Sequence, residues 1–504
     1  MRVPDFLAEQ ARLRPRHPAL LLDDGTAFDF AALEARTART AAALAARGVG
    51  RGSIVLSLLA PGAAFVALVH AMPRLGSTLA VVSPAATKAE AVRVAELARP
   101  ELVVCSAVAG QAGAAAARAA GAESVVVEAD EELPLTRAGA GSAPETAAGG
   151  RSATVPQIDP AAPLTMLFTS GTTGTPKGIL HSAGNYLAST HASTQRLGAS
   201  PDDVWLAAMP LHHMGGLAIL MRSVILGTTV ALQGGFDARR VAEALLSGRI
   251  SQVSVVPTML DRLVDGLAGR AVPAAVRFVL VGGALATDVQ LARAQRAGLP
   301  VAPTYGMTET TSQVATASPR GAAFGTGEVG RVLPATEVRV VDADGNALAE
   351  GSGAIEVRGA VVATGRLVRA GQVEPLAGED GWMATQDAGV LGEDGTLVVL
   401  GRIDEVIVSG GENVAPGEVE AALADHPAVA EVGVIGLPHD TWGMAVAAFV
   451  VPHPGAVPSL EALRSHGAAR LARHKLPQIL RIVPELPRTA AGKLKRRALV
   501  AAQV

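Results

Sequence analysis

The chain has 504 residues, 49% of them hydrophobic, enough for two to four packed units at about 150 residues each. Its formal net charge of −3 offers neither a basic face for nucleic acid nor a polybasic membrane patch. A single cysteine, Cys105, excludes intramolecular disulfides and four-thiolate zinc sites, and its place after Leu102, Val103 and Val104 makes it a core thiol. Asp5 and Glu9 stand where a signal peptide would need unbroken apolar chain. The apolar stretch from Ile54 to Val82 is interrupted by Pro61, Gly62, His70, Pro73 and Arg74, so it predicts buried helix and strand and no stable membrane insertion. The expected setting is the cytoplasm.

In chain order, Ala19–Leu22 and Ala27–Phe30 flank an Asp24–Gly25 turn and predict a hairpin, followed by an alanine-rich helix to Arg47. Ile54–Leu59, Thr78–Val82 and Leu102–Ser106 are short apolar strands separated by helical segments. That rhythm predicts a largely parallel sheet covered on both faces. Residues 107–150 drift into Ala, Gly and Glu and predict a surface helix and loop without chemistry. A second α/β block follows, with strand candidates Val204–Pro210, Thr228–Leu232, Gln252–Val256 and Phe278–Val281 and a helix at Ala238–Ser247. From Gly327, short strands at Glu337–Val341, Ala354–Arg358 and Thr396–Leu400 predict an antiparallel sheet or small barrel. Asp342 to Gly345 has the wrong ligand spacing for calcium and reads as a turn. A boundary at Gly401–Asp404 separates residues 1–401 from 402–504. The second unit holds a helix Pro416–Leu423, strands Val429–Gly436 and Ala445–Val451, a helix through Arg473 and a basic tail.

The chemistry concentrates in a few strings. Thr169–Gly178, TSGTTGTPKG, directly follows the apolar run Leu164–Phe168. Gly171, Gly174 and Gly178 free the backbone for positive φ, so that successive N–H groups can turn towards one anion. Thr169, Ser170, Thr172, Thr173 and Thr175 add hydroxyl donors and Lys177 a positive charge. The loop is built to hold phosphate. It is not a Walker A loop, because Lys177 is followed by Gly178 rather than Ser or Thr. In Val281–Ala284, Gly282 and Gly283 let a flat ring approach the backbone ahead of Ala284. In Thr304–Glu309, Tyr305 can stack on a purine beside Gly306, the Thr308 hydroxyl can bond phosphate, and Glu309 can hold Mg²⁺ against phosphate oxygens.

These strings, with Gly381–Asp387, Gly401–Glu405 and Pro487–Lys493, resemble in order the signatures of the adenylate-forming superfamily. That superfamily includes acyl-CoA ligases, firefly-type luciferases and peptide-synthetase adenylation domains. The resemblance runs from Leu164 to Lys493. It implies an α/β fold: a large N-terminal domain of two mixed-sheet α/β subdomains plus a small distorted β-barrel, then a small mobile α+β C-terminal domain. It also implies ATP, Mg²⁺ and coenzyme A as cofactors and a small carboxylic acid as substrate. Asp387 would bond the ribose hydroxyls, although Gln386 replaces the usual glycine before it. Arg402 would bond ribose or phosphate, and Asp404 would be the hinge. Lys493 would reach the carboxylate during adenylation, while Lys495, Arg496 and Arg497 read as a solvated basic face. Ser409, Gly410 and Gly411 would line a channel for the pantetheine thiol. A homodimer stays open.

Acid choice falls to Pro210–Gly227. His213 takes the superfamily's gating position beside the carboxylate, and Arg222 stands inside an apolar helix-like run. An unpaired charge there is costly, so Arg222 awaits either an internal carboxylate or a second carboxylate on the substrate. This stretch, with Trp205, Val256–Leu260 and Met307–Gln313, resembles the o-succinylbenzoate–CoA ligases of menaquinone biosynthesis. In that reading Ser312 and Gln313 line the aromatic acid pocket, and Gly215 departs from the serine common there. An aryl-, medium-chain or malonyl-type ligase would share every nucleotide residue. A carrier-protein adenylation enzyme would need an aspartate near His213 for an α-amino group. A luciferase-like oxygenase or an inactive homologue is the remaining alternative.

Overall fold

Short runs of fully buried Val, Leu and Ile form the centres of two large sheets. The computed structural model describes residues 2–134, 155–170, 176–319, 324–410, 412–488 and 494–501. The first sheet has eight strands in the order Gln372–Glu374, Gly365–Arg369, Pro176–Ser182, Pro163–Ser170, Thr78–Val81, Ile54–Leu58, Leu102–Cys105, Glu123–Val126. Its strands from Pro163–Ser170 to Glu123–Val126 pair in parallel. Parallel pairing needs a crossover, supplied here by helices such as Ala63–Leu75 and Lys88–Ala98. The stretch after Cys105, read as a surface helix and loop, holds helix Gly110–Ala120 and, beyond that reading, the edge strand Glu123–Val126. Its apolar run, Val125 to Val127, is only three residues long and did not stand out from the alanine-rich stretch around it. Cys105 is buried, as expected.

The second sheet starts at the hairpin of Pro18–Leu22 and Ala27–Asp29. It continues through the parallel strands Thr229–Leu232, Val204–Ala207, Gln252–Val255, Phe278–Val281 and Val301–Met307. Beyond that strand pairing turns antiparallel, through Ser312–Thr316, Glu328–Val332, Thr396–Arg402, Met383–Leu391, Gly353–Gly359 and Thr336–Val341. The switch at Val301–Met307 places the Thr304–Glu309 string where the two halves meet.

The C-terminal part has its own sheet, with strands Ile407–Ser409, Glu412–Val414, Val429–His439, Gly443–Pro452 and Ile479–Ile482. Helices Pro416–Leu423 and Leu460–Gly467 help to bury Val419, Leu423, Val434, Val446 and Leu463 in a separate core. The helix expected to run through Arg473 stops at Gly467, and a 3₁₀ turn at Arg473–Lys475 follows. Glycine is a poor helix former, and this one packs its backbone within reach of Leu476 and Leu423. Arg496 is not part of a free basic face. It bonds Glu405 at 2.7 Å and Glu420 at 2.6 Å, which ties the tail helix Arg496–Ala501 to the unit. Among the described residues no helix is long and apolar enough to cross a membrane.

Candidate active site

Pro163–Ser170 and Pro176–Ser182 pair antiparallel, with Ser170 opposite Pro176 and Thr169 opposite Lys177. Thr169 and Ser170 therefore end one strand of an antiparallel pair, and Lys177 lies near the start of the other. Gly171, Thr172, Thr173 and Gly174 lie outside the described residues, as do Gly411 and Lys493. This strand pair is tied to the rest of the site by contacts that the strings did not announce. His181 Nε2 lies 2.7 Å from the Thr308 carbonyl. A carbonyl only accepts, so Nε2 carries the hydrogen. Burial pushes this imidazole down to about 4, so the ring is neutral near pH 7. Asn185 Nδ2 donates to the carbonyls of Ala360 and Val362 at 2.8 and 2.9 Å, and the Ala363 N–H donates to Glu309 O at 2.8 Å. The Thr311 hydroxyl donates to Val361 O at 2.8 Å. Residues 360–363 thus join this strand pair to the Glu309 turn.

That turn is a 3₁₀ segment, Thr308–Thr310, between Val301–Met307 and Ser312–Thr316. Gly306 is required by close approach: a Cβ there would sit 1.7 Å from Ser312 O. Gly282 meets the same string, since its Cβ would lie 2.7 Å from Thr304 Cγ2, and Gly283 takes φ +80°. Gly283 and Ala284 are exposed beyond the end of strand Phe278–Val281.

Tyr305 is buried among Val314, Val329 and Leu397, and its hydroxyl donates to Asp387 Oδ2 at 2.7 Å. Burial first, then the Asp387 charge, hold the phenol protonated well above its usual range. The Asp387 backbone N–H donates to Thr385 Oγ1 at 3.2 Å, within the same strand. Arg402 is its direct partner across the ladder. Arg402 Nε donates to Asp404 Oδ1 at 3.0 Å and Nη2 to Gln386 Oε1 at 2.8 Å. Asp387, Arg402 and Asp404 are therefore neighbours, on a strand pair and the 3₁₀ turn Ile403–Glu405 that leaves it. Ser409 is buried with no partner for its hydroxyl among the described residues, and Gly410 donates its N–H to Trp442 O at 2.9 Å.

On the acid side, His213 caps helix Met214–Leu226, its ring 4.4 Å from that of His212. Burial, then the neighbouring His213, pushes His212 down to about 4. Arg222 is 3% exposed in that helix. Its guanidinium lies over Trp205, and Nη2 is 3.3 Å from Ser189 Oγ. Nε has no partner, and no carboxylate among the described residues pairs with it. Ser189 in turn donates to Thr311 O at 2.7 Å, which carries the connection to Ser312. Gln313 is buried, donating to Thr316 Oγ1 at 2.9 Å, while its Oε1 has no partner among the described residues. Ser189 and His181 were missed from sequence. The signal for Ser189 was the small polar series Asn185, Ser189 and Ser193 on one face of helix Ala183–Leu197; His181, on the strand before it, carried none.

No group of three or more His, Cys, Asp or Glu among the described residues could hold a metal alone. Mg²⁺ needs only one or two carboxylates when substrate phosphates complete its shell. Glu309, half-buried beside Thr308 on the turn, fits that demand.

Residues 7–367 match the family model described as AMP-binding enzyme, and residues 418–493 match the AMP-binding enzyme C-terminal domain. A 2-succinylbenzoate–CoA ligase of Geobacillus kaustophilus is 37% identical over 505 residues, covering 99% of this chain and 97% of that one. The o-succinylbenzoate CoA synthetase of Bacillus subtilis, solved in complex with the acyl-adenylate intermediate OSB-AMP, has a TM-score of 0.84 at 32% identity, covering 99% of this chain and 98% of that one. ATP-bound MatB from Rhodopseudomonas palustris has a TM-score of 0.87 at 27% identity, covering 99% of both chains.

Proposed function

The chain belongs to the AMP-binding enzyme family, and from that premise we propose that it is the o-succinylbenzoate–CoA ligase of menaquinone biosynthesis. The observation that carries the acid assignment is Arg222, buried beside Trp205 without a carboxylate partner among the described residues. A buried guanidinium is held at a high cost unless an anion reaches it. o-Succinylbenzoate has one carboxylate to activate and a second to meet Arg222, with an aromatic ring between them for Trp205 and the apolar helix. Malonate also carries two carboxylates, which makes a malonyl-type ligase the second reading.

In the first half-reaction the substrate carboxylate attacks the α-phosphorus of ATP and pyrophosphate leaves. The strand pair with Thr169, Ser170 and Lys177 holds phosphate, Asp387 takes the ribose hydroxyls, and Gly282, Gly283, Ala284 and Gly306 border the purine. Thr308 bonds phosphate, and Glu309 would hold Mg²⁺, which supplies charge neutralisation at the phosphate oxygens. His213 gates the carboxylate, Lys493 neutralises it during attack, and Ser312 and Gln313 line the pocket. In the second half-reaction the CoA thiol attacks the acyl carbon and AMP leaves. Residues 402–504 turn about Asp404 between the steps, replacing Lys493 by the Ser409–Gly411 turn, which borders the pantetheine channel. ATP and CoA are cytoplasmic metabolites, and the enzyme is placed there.

The test is thioester formation by Arg222→Met. The variant should lose affinity for o-succinylbenzoate, with no comparable loss for the monocarboxylate benzoate. An equal loss for both acids would remove Arg222 from the pocket.

A further inference from the structure

Gln386 stands where the superfamily pattern has glycine, and the backbone still has the conformation that suits glycine, with φ at +64°. The left-handed region disfavours side chains with a Cβ. A glutamine kept there therefore calls for something its side chain does. Its Oε1 accepts from Arg402 Nη2 at 2.8 Å, while Arg402 Nε donates to Asp404 Oδ1 at 3.0 Å. Gln386 and Asp404 hold the same guanidinium from two sides. Gln386 lies on strand Met383–Leu391, next to Asp387 and so next to the carboxylate that Tyr305 supports. Asp404 lies on the 3₁₀ turn that follows Arg402. A glycine at 386 could offer no acceptor.

We propose that Gln386 is a positioning residue that keeps Arg402 at the nucleotide site while the C-terminal unit turns about Asp404. This rests on the hinge reading given above. Rotation of the Asp404 backbone changes where its carboxylate points, whereas Gln386 belongs to the strand that stays with Asp387. In one orientation Arg402 has both partners, and in the other Gln386 alone fixes it.

The experiment compares Gln386→Gly, Gln386→Ala and Gln386→Glu in both half-reactions: acid-dependent ATP–pyrophosphate exchange, and thioester formation from pre-made acyl-adenylate and CoA. Melting temperature is measured beside them. Gln386→Gly relieves the backbone and should melt at or above the parent. It should still raise the KM for nucleotide or acyl-adenylate about threefold to tenfold in one half-reaction and much less in the other. Gln386→Ala should show the same unequal loss without the gain in melting temperature, and Gln386→Glu, which keeps an acceptor, should retain the parental KM. Parental kinetics in both the Gly and Ala variants would overturn the proposal, as would equal losses in the two half-reactions. Absence of acid-dependent exchange in the unmodified protein would remove the ligase reading, and this proposal with it.

Discussion

The guanidinium of Arg222 lies 5.5 Å from the ring centroid of Trp205, at the buried end of a helix that offers it no carboxylate among the described residues. Burial lowers its proton affinity only to about 10, so it stays charged at neutral pH. A desolvated charge without a partner destabilises a fold, and an apolar residue of similar length is often neutral or stabilising in its place. Arg222→Met should therefore melt at or above the parental temperature. It should also raise KM for a dicarboxylate by the equivalent of about 2–5 kcal/mol. Thermal melts and steady-state kinetics on one preparation check both. A clear drop in melting temperature would make Arg222 a structural residue.

Tyr305→Phe tests the support of Asp387. The phenol hydroxyl is 2.7 Å from Asp387 Oδ2, and a hydrogen bond to a charged group contributes about 1.5–3 kcal/mol. Without it the Asp387 carboxylate loses one of the contacts that fix its orientation. AMP affinity by calorimetry should fall roughly tenfold to a hundredfold, with the apolar packing of the ring retained. Unchanged affinity would separate Tyr305 from the nucleotide.

Gly306→Ala addresses the turn geometry. A Cβ 1.7 Å from Ser312 O cannot be accommodated by a side-chain rotation, because the obstacle is backbone. Strand Val301–Met307 must shift, at a cost of about 3 kcal/mol, and Thr308 and Glu309 move with it. Chemical denaturation should show the loss of stability, and pyrophosphate exchange should be abolished.

Acid should weaken the fold through His181. Burial pushes its imidazole down from the usual 6.5 to about 4. Between these values the unfolded chain binds more protons, so stability rises with pH across this window. The neutral-ring contribution is complete above pH 6.5 and is lost as pH falls towards 4, about 3 kcal/mol for this one group. Denaturant titrations at pH 7 and pH 5 should differ less in His181→Gln, which keeps a donor for Thr308 O but does not titrate. An identical pH dependence in the variant would contradict this assignment.

What the sequence made legible was local. Phosphate-loop glycines, the Tyr305–Glu309 string and the anomalous charge of Arg222 each stand out within a few residues of chain. The alternation of apolar strands with helices also carried most of the parallel sheet. Less legible were partners brought together only by the fold: His181 with Thr308, Ser189 with Thr311, Arg496 with Glu405 and Glu420. Each member of these pairs is an unremarkable polar residue until the sheets bury it. Tyr305 shows the same limit from the other side. Its ring chemistry was open to a purine, but its hydroxyl's commitment to Asp387 depends on strands Val301–Met307 and Met383–Leu391 meeting.

The most direct test of the account is CoA-dependent AMP release by the intact protein with o-succinylbenzoate, set beside benzoate, malonate and a medium-chain fatty acid. kcat/KM should be highest for o-succinylbenzoate, and AMP release with it should require CoA. A preference for any of the other three acids would contradict the assignment and return Arg222 to the architecture of the fold.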